Sequence, residues 1–593
     1  MTDSIRLTGV AGAPGIGIGP AWRFGAPTTA PPTEPATAGP AGSSPADSIR
    51  AASAETARQL EALAERIRGL GRGEEAAIFD AQALMATDPM LVDEAIGHAG
   101  GDGDPADAVR LAADAAAAML ASIDDELLAA RAADVRDVGA RIVRVLRGET
   151  LELPTVPSIA IADDLPPSVT AEIPPGFLLG IALSGGSRTA HAVILARSLG
   201  IPAIVGVDGL LEAIDGAAGG DDGPASVALD GETGEVVVRP GPGDEAEFRR
   251  RATDLEARRA AAAGLRDRPV ATADGERVML VANIGTPADS ARAIEAGAEG
   301  VGLFRTEFLF MSRQTPPTED EQVAAYRQVL ADFGPDRPVV VRLADIGGDK
   351  AIPYLRLPPE QNPFLGVRAI RLAYADPDLL VTQLRAIWRA GAAAGVVPHV
   401  MAPMVATAAD VTLLLSLRDR ARESLVASGV PIAERLVTGS MVEVPSAALL
   451  APELARMIDV FSIGTNDLTQ YVLAADRGNA ALASLQDALH PAVLRAVAGV
   501  VAGADAAGIP VAVCGELAGD PLGALVLVGL GVDELSADAG SLDGVRAALA
   551  RVTRPQLDEL ARRALAASDA DAVRELAAAA MAGEGQERSR VRL

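Results

Sequence analysis

The chain has 593 residues, 49% of them hydrophobic, so it has room for about three to four domains of roughly 150 residues each. Its formal net charge of −28 argues against nucleic acid as a partner, because phosphate backbones are bound by stripes of Lys and Arg. A single cysteine excludes an internal disulfide and the N-terminus lacks the basic start and apolar core of a signal peptide, so we expect a cytoplasmic protein with no membrane insertion.

The first part of the chain contains three segments of different composition. Residues 5–24 combine apolar residues with glycine and predict short strands and turns. Residues 25–48, rich in Pro, Ala, Thr and Ser, predict a disordered surface loop. From about Ile49 to Leu146, apolar residues recur at helical spacing and strand signals are nearly absent, which predicts a helical bundle.

The middle of the chain alternates short apolar runs with Gly and Pro turns over residues 150–240, which predicts a compact α/β domain. It contains the stretch SGGSRTAHAVILARSLG, residues 184–200, in which a glycine pair precedes His191 and a short amphipathic helix. At a helix N-terminus, backbone N–H groups and the dipole favour an anion. A neutral imidazole there can attack phosphorus, which distinguishes His191 from the other three histidines. Residues 243–267 are charged and predict a linker helix.

From about residue 270 the pattern is strand, loop and helix, repeated eight times over roughly 300 residues, which predicts a (β/α)8 barrel. A doubly wound open sheet is the alternative, but no G-x-G-x-x-G fingerprint follows a first strand. The predicted strands are RVMLVANIG, GVGLFRTEF, PVVVRLADIGG, HVMAPMV, LVTGSMVEV, VFSIGTNDL, PVAVCGELAG and the more polar VDELSAD.

Functional residues of such barrels lie where strands end. Arg305, Arg342 and Arg477, with Lys350, suit a ligand that carries both phosphate and carboxylate, because guanidinium forks match these oxygens in pairs. The polar residues that follow the predicted strands are Asn283, Arg305, Glu307, Arg342, Asp345, Glu443, Asn466, Asp467, Cys514 and Glu516.

Two of these acids, Glu443 and Asp467, end neighbouring predicted strands. Carboxylates together with substrate oxygens and water form the oxygen-rich site that Mg²⁺ prefers. Their separation in sequence does not by itself establish a metal site.

Long motifs along nearly the whole chain resemble Enzyme I of the bacterial phosphotransferase system, the phosphoenolpyruvate–protein phosphotransferases. They are AGAPGIGIGPA, AADVRDVGARI, GVGLFRTEFLFM, ADIGGDK, NPFLGVRAIR, VFSIGTNDLTQYVLAADRGN and CGELAGD. The resemblance implies a multidomain α/β protein whose α/β phosphohistidine domain carries an inserted helical bundle, followed by a TIM-type barrel. The expected boundaries are 1–24 with 147–242 for the phosphohistidine domain, 25–146 for the helical domain, 243–267 for the linker helix, 268–582 for the barrel and 583–593 for a tail.

The resemblance also implies residue roles. His191 would be the phosphohistidine nucleophile, and Glu443 and Asp467 the Mg²⁺ ligands. Phosphoenolpyruvate would be bound by Arg305, Arg342, Asn466, Asp467 and Arg477, with Lys350, Arg368 and Asn283 as additional candidates. HPr, a small phosphocarrier protein, would dock on the helical domain, where Glu74, Glu75 and Asp80 are either contact residues or simply solvated acids. A homodimer through the barrel is expected.

Cys514 matches the family's proton donor, which converts enolpyruvate to pyruvate. A thiol with an ordinary pKa near 8.5 is mostly protonated at neutral pH and can act as this acid. The alternative role, a small buried hydrophobe, is the usual one for a free cysteine. The position at the end of a predicted barrel strand favours the acid.

One loop departs from the family pattern. Where the family has GG-x-TSH, this chain has GGSRTAH, with one extra residue before Thr189 and Ala190 in place of serine. We expect the change to affect the rate of phosphoryl transfer rather than remove the nucleophile. Rival interpretations are a phosphoenolpyruvate-responsive sensor and a phosphoenolpyruvate synthase or dikinase; the dikinase would need an ATP-binding domain larger than the helical region.

Overall fold

The computed structural model describes residues 4–25, 44–69, 73–100, 103–121, 126–185, 191–217, 224–311, 313–348, 352, 354–355, 357–358, 360–477, 479, 482 and 485–583. The chain divides into two compact units, Met1–Ala257 and Arg258–Leu593. Helix α9, Pro242–Ala263, contains the boundary between them. Most of the predicted loop 25–48, the tail from residue 584, and Lys350 lie outside the described residues.

The first unit is built on an eight-stranded mixed sheet with the order β1-β8-β7-β3-β4-β5-β6-β2. β3 pairs with β4 in parallel and with β7 antiparallel, so strands from before and after the helical region share one sheet. The helical region is therefore an insertion into the α/β fold, as predicted. The strands are β1 Ile5–Thr8, β2 Val10–Ala13, β3 Ile16–Arg23, β4 Ser158–Ala162, β5 Leu178–Leu183, β6 Ala203–Val205, β7 Ser226–Asp230 and β8 Glu235–Val238.

The inserted helices bury a common core, to which one helix contributes Leu60, Leu63 and Ile67 at helical spacing and others contribute Phe79 and Ile142. Helix α1 begins at Pro45, inside the segment predicted as a loop, because Ser44 caps the backbone N–H of Asp47 at 3.2 Å and proline suits the first helical turn. The helices of this unit are α1 Pro45–Gly69, α2 Gly73–Ala86, α3 Pro89–Ala99, α4 Pro105–Ala121, α5 Glu126–Arg147, α6 Pro167–Glu172, α7 His191–Leu199 and α8 Leu210–Ala217.

The second unit contains a closed barrel of eight parallel strands, in which the last strand pairs with the first. This confirms the (β/α)8 prediction, including the polar strand VDELSAD, and excludes the open sheet. The strands are β9 Met279–Ile284, β10 Val301–Phe304, β11 Val339–Arg342, β12 His399–Ala402, β13 Val437–Val442, β14 Val460–Ile463, β15 Val511–Val513 and β16 Glu534–Asp538.

Apolar side chains fill the barrel interior, where Leu303, Val340, Met401, Met441 and Cys514 form one buried cluster. In the part of the chain that the structure describes, every helix is too short or too polar to span a membrane. The helices of this unit are α10 Asp289–Glu295, α11 Glu319–Phe333, α12 Asp378–Ala394, α13 Ala408–Ala427, α14 Pro445–Leu449, α15 Ala451–Leu454, α16 Thr465–Leu473, α17 Pro491–Ala507, α18 Pro521–Gly529, α19 Leu542–Leu549, α20 Arg554–Ala564 and α21 Ala570–Ala582.

Candidate active site

Arg342 is the last residue of β11 and lies at the carboxyl-terminal end of the barrel. Its Nη2 donates to Glu307 Oε1 at 2.8 Å, and its Nη1 lies 3.8 Å from Asp345 Oδ2. Burial lowers the pKa of this guanidinium, but the carboxylates of Glu307 and Asp345 outweigh it and the net pKa is raised. Its Nε is buried without a partner in the described residues. Arg342 is therefore a fixed cation with one donor to spare.

Arg368 is almost completely buried, at 1% exposure, and forms the second fixed cation. Its Nε and Nη2 donate to the two oxygens of Asp345 at 2.9 and 2.6 Å, and its Nη1 donates to Asp467 at 3.4 Å. Asp345 thus orients this guanidinium by a bidentate pair. The segment is locked by a backbone bridge between Gly347 and Arg368. Gly347 has φ +90°, and a Cβ there would lie 2.5 Å from a backbone oxygen, so only glycine fits.

Glu443 follows β13 and is buried, at 2% exposure. Its Oε1 accepts the backbone N–H of Met404 at 2.6 Å, while Oε2 accepts no hydrogen bond from a described residue. Met404 presents that N–H from a left-handed conformation, φ 59°, which is strained for a side chain of this type. Burial, and then the charges of Asp467 and Asp345, raise the pKa of Glu443 well above its usual range.

Asp467 lies in the first turn of α16 and is also buried. One of its oxygens accepts from Arg368, and the other accepts from Arg477 Nη1 at 3.5 Å. Gly464, before α16, leaves the space beside Glu443, since a Cβ there would lie 2.7 Å from Glu443 Oε2. The two predicted metal ligands are thus buried, and the charge of each acts on the other.

The donor set suits a hard cation. Glu443 is buried and one of its carboxylate oxygens accepts no hydrogen bond from the described residues, and the neighbouring negative charges favour a cation beside it. Within the described residues, no group of three or more His, Cys, Asp or Glu side chains could hold a metal ion. The remaining ligands would have to be water or substrate oxygens, which is how Mg²⁺ is commonly held.

Cys514 follows β15 and lies in the barrel interior at 3% exposure. Its backbone N–H donates to Ile463 O at 3.1 Å, and Sγ lies 3.7 Å from the same oxygen. Burial raises the pKa of the thiol to about 11, against the opposing charges of Arg342 and Arg305. The thiol is therefore protonated at neutral pH, as an acid catalyst requires.

Two asparagines bind neighbouring strand ends together. Asn466 Nδ2 donates to Glu516 Oε1 at 3.2 Å, and its Oδ1 accepts the Glu516 backbone N–H at 3.0 Å. Asn283 donates to the backbone oxygens of Cys514 and Ser536 at 3.2 and 3.3 Å. The side-chain amide of Asn283 thus donates to the backbone of Cys514 itself.

Arg305 and Arg477 are exposed. The Arg305 guanidinium makes no hydrogen bond or ion pair with any residue that the structure describes, although it follows β10 directly. Arg477 lies 5.4 Å above the ring of Phe364 while it donates to Asp467. Arg477 therefore has a carboxylate partner, as Arg342 and Arg368 do, whereas the Arg305 guanidinium has none among the described residues.

His191 begins α7 in the first unit. Its side chain, and residues 186–190 of the altered GGSRTAH loop, lie outside the described part of the chain. Before the loop, Ser184 Oγ donates to Asp163 Oδ1 at 2.7 Å.

The sequence pattern did not reveal how the site is held together. Asp345 and Glu307 were recognised as strand-end residues without a role, yet they fix the two buried guanidiniums. The Met404 N–H that binds Glu443 belongs to the backbone, so residue type gives no signal for it. The position of Asp345, three residues after the strand-end Arg342, is the sequence signal that could have predicted an ion pair there.

Three family models match the chain: PEP-utilising enzyme, N-terminal (residues 8–131); PEP-utilising enzyme, mobile domain (154–234); and PEP-utilising enzyme, PEP-binding domain (259–554). The chain is 40% identical over 584 residues to a phosphoenolpyruvate-protein phosphotransferase of Geobacillus stearothermophilus, covering 97% of this chain and 98% of that protein. A protein of the same name from Streptomyces coelicolor is 41% identical, covering 98% and 99%. A multiphosphoryl transfer protein of Rhodobacter capsulatus is 42% identical over 96% of this chain and 67% of its own length.

Proposed function

The chain belongs to the phosphoenolpyruvate–protein phosphotransferase family of PEP-utilising enzymes, and from this membership we propose that it transfers the phosphoryl group of phosphoenolpyruvate to His191 and then to a histidine of HPr. The observation that carries the proposal is the carboxyl-terminal end of the barrel, where the guanidiniums of Arg305, Arg342, Arg368 and Arg477 lie with the buried acids Glu443 and Asp467 and the protonated thiol of Cys514. A small dianionic or trianionic substrate is what this arrangement suits.

The exposed cations are the proposed ligands of the substrate. Arg305, the N–H groups of Arg477 that do not bond Asp467, and the spare Nε of Arg342 would supply donors for phosphate and carboxylate oxygens. Asn466 would add a side-chain amide, and Arg368 contributes positive charge while it is held by Asp345. Asn283 and Lys350 are additional candidates; the Asn283 amide bonds the backbone oxygens of Cys514 and Ser536, and Lys350 lies outside the described residues.

Glu443 and Asp467 are the proposed ligands for Mg²⁺. When bound, the ion would neutralise charge on the phosphoryl group during its transfer. Neighbouring residues would orient these two ligands: the Met404 N–H bonds Glu443, and Arg368 and Arg477 bond Asp467.

Cys514 is the proposed proton donor. Attack by the His191 imidazole on phosphorus breaks the P–O bond of phosphoenolpyruvate and leaves the enolate of pyruvate. The Cys514 S–H then supplies the proton for the terminal carbon, the enolate electrons form the C–H bond, and the thiolate regains a proton from water. A buried thiol with pKa about 11 holds its proton until a strongly basic carbon is present.

Transfer requires that the two units meet, because His191 belongs to the first and Cys514 to the second. A reversible cross-link that holds the units apart should abolish phosphorylation, and reduction should restore it. Full activity in the cross-linked form would contradict this step.

HPr is the proposed acceptor, docking on the inserted helices. Asp80 pairs with Arg68 at 2.6 Å on an exposed face, and the side chains of Glu74 and Glu75 lie outside the described residues. We further propose a homodimer through the barrel unit and a cytoplasmic location.

Intact mass after incubation with phosphoenolpyruvate and Mg²⁺ tests the function directly. We expect one acid-labile phosphoryl group on the wild type, none on His191→Ala, and none on either protein with ATP as donor. Adding HPr should remove the group from the enzyme. An unmodified wild type would contradict the proposal and favour a sensor that binds without reacting.

A further inference from the structure

We propose that Gln383 is a positioning residue for phosphoenolpyruvate binding, because it fixes the ends of β10 and β11 on which Arg305 and Arg342 stand. Gln383 lies on α12, outside the barrel strands, and is completely buried. The inference rests on the proposed function and adds to it a residue that does not touch the substrate.

Both polar ends of the Gln383 carboxamide are used at the strand ends. Its Oε1 accepts the backbone N–H of Ala344 at 2.9 Å, two residues after Arg342. Its Nε2 donates to Thr306 Oγ1, also at 2.9 Å, one residue after Arg305. A single side chain therefore bridges the segments that follow two neighbouring strands.

Thr306 passes this constraint on to Arg342. Its hydroxyl accepts from Gln383 and donates to the backbone oxygen of Arg342 at 2.9 Å. The adjacent Glu307 accepts from the Asp345 backbone N–H at 2.7 Å and from the Arg342 guanidinium at 2.8 Å. The segment after β10 thus holds both the main chain and the side chain of Arg342.

The second N–H of Gln383 anchors the bridge to the helical layer. It donates to Tyr326 Oη at 3.1 Å, and Tyr326 donates to Gln322 Oε1 at 3.2 Å on α11. Because Gln383 donates to Thr306 and Tyr326, both hydroxyl protons must point away from it. The chain of hydrogen bonds has one direction and leaves no group of Gln383 unpaired.

Packing alone does not require a carboxamide at this position. A leucine or methionine would fill the volume without the cost of burying polar atoms. The carboxamide also fixes the distance between the segment that follows Arg305 and the segment that follows Arg342. Arg305 has no partner of its own among the described residues, so its placement depends on the backbone beneath it.

The test uses two matched variants of Thr306 together with Gln383→Met. Thr306→Val keeps the shape and removes the hydroxyl, whereas Thr306→Ser keeps the hydroxyl. In single-turnover phosphorylation followed by intact mass, we expect Thr306→Val and Gln383→Met to raise the half-saturating phosphoenolpyruvate concentration about 10- to 100-fold, since small misplacements of binding groups have effects of this size. Thr306→Ser and the outer-link variant Tyr326→Phe should stay within about threefold of wild type.

The maximal rate separates positioning from general damage. We expect it to change less than the half-saturating concentration, because His191, Cys514 and the proposed metal ligands are untouched. Wild-type values in both Thr306→Val and Gln383→Met would overturn the inference, as would equal losses in Thr306→Val and Thr306→Ser. If Gln383→Met does not fold, the Thr306 pair decides alone. A wild type that is never phosphorylated would instead contradict the proposed function.

Discussion

At the base of the barrel, where the strands begin, Asp459 and Asp533 accept hydrogen bonds from strand backbones; at the mouth, where the strands end, Glu307, Asp345 and Asp467 hold guanidiniums. Asp459 accepts the Thr438 N–H at 2.8 Å, and Asp533 accepts the Val511 N–H at 2.8 Å. Asp459 also pairs with exposed Arg435. These base acids have conventional partners and face solvent on one side.

At the mouth, the buried Arg342 Nε and the Oε2 of the buried Glu443 have no hydrogen-bond partner among the described residues. Such groups are costly in a folded protein and persist where a ligand completes them. The comparison predicts that the base contributes to stability and the mouth to binding, which is the usual division in this fold.

Cys514→Ala should have the largest effect on the mouth. Loss of a general acid lowers the rate about 10²- to 10⁴-fold. Pyruvate release with HPr in excess measures this rate, and phosphoenolpyruvate binding should remain. Met401→Leu, in the same buried cluster, is the control and should keep wild-type turnover. Equal loss in both variants would assign Cys514 to packing rather than acid catalysis.

Glu443→Gln separates function from stability at the mouth. We expect phosphorylation to fall at least about 100-fold and to require more Mg²⁺, since losing even groups that support a metal ligand costs about 10- to 100-fold. Burial, and then the charges of Asp467 and Asp345, raise the pKa of Glu443. Removing this buried charge should therefore leave the melting temperature of the metal-free protein unchanged or higher. A strongly lowered melting temperature would mean that this carboxylate stabilises the fold, and the contrast with the base would fail.

Asp459→Ala should have the opposite signature at the base. It leaves the buried Thr438 N–H without its acceptor, which costs about 1–3 kcal/mol of unfolding free energy. Denaturant unfolding of the barrel measures the loss, while the half-saturating phosphoenolpyruvate concentration should stay at the wild-type value. A changed substrate response would show that the two ends are coupled.

The sequence predicted the barrel more fully than its mouth. Short apolar runs separated by helices identified all eight strands, because burial of parallel strands leaves that pattern whatever the function. Motifs identified Arg342, Arg368 and Glu443 as candidates. They did not show that Asp345 joins two guanidiniums, or that Gln383 reaches two strand ends from a helix, because those contacts depend on tertiary packing. The start of α1 was misjudged, since composition outweighed the capping signal of Ser44 and Pro45.

A substitution of His399, at the start of β12, should change the unfolding free energy least, because the contribution of this titration disappears at neutral pH. Burial, and then the charge of Arg435, lower the pKa of this imidazole to about 4, against about 6.5 in an unfolded chain. The unfolded state therefore binds more protons between these values, and the unfolding free energy should fall as the pH is lowered from about 6.5 to 4.

Replacing this histidine with a group that does not titrate should reduce that slope. Between pH 6.5 and 4, we expect His399→Gln to lose about 1–2 kcal/mol less unfolding free energy than wild type. This figure is reduced because the His399 side chain is partly exposed. Turnover at pH 7 should be unchanged, because His399 lies at the base and not at the mouth. Identical slopes in the two proteins would mean that the imidazole binds protons equally in the folded and unfolded states, and that burial at the base does not keep it neutral.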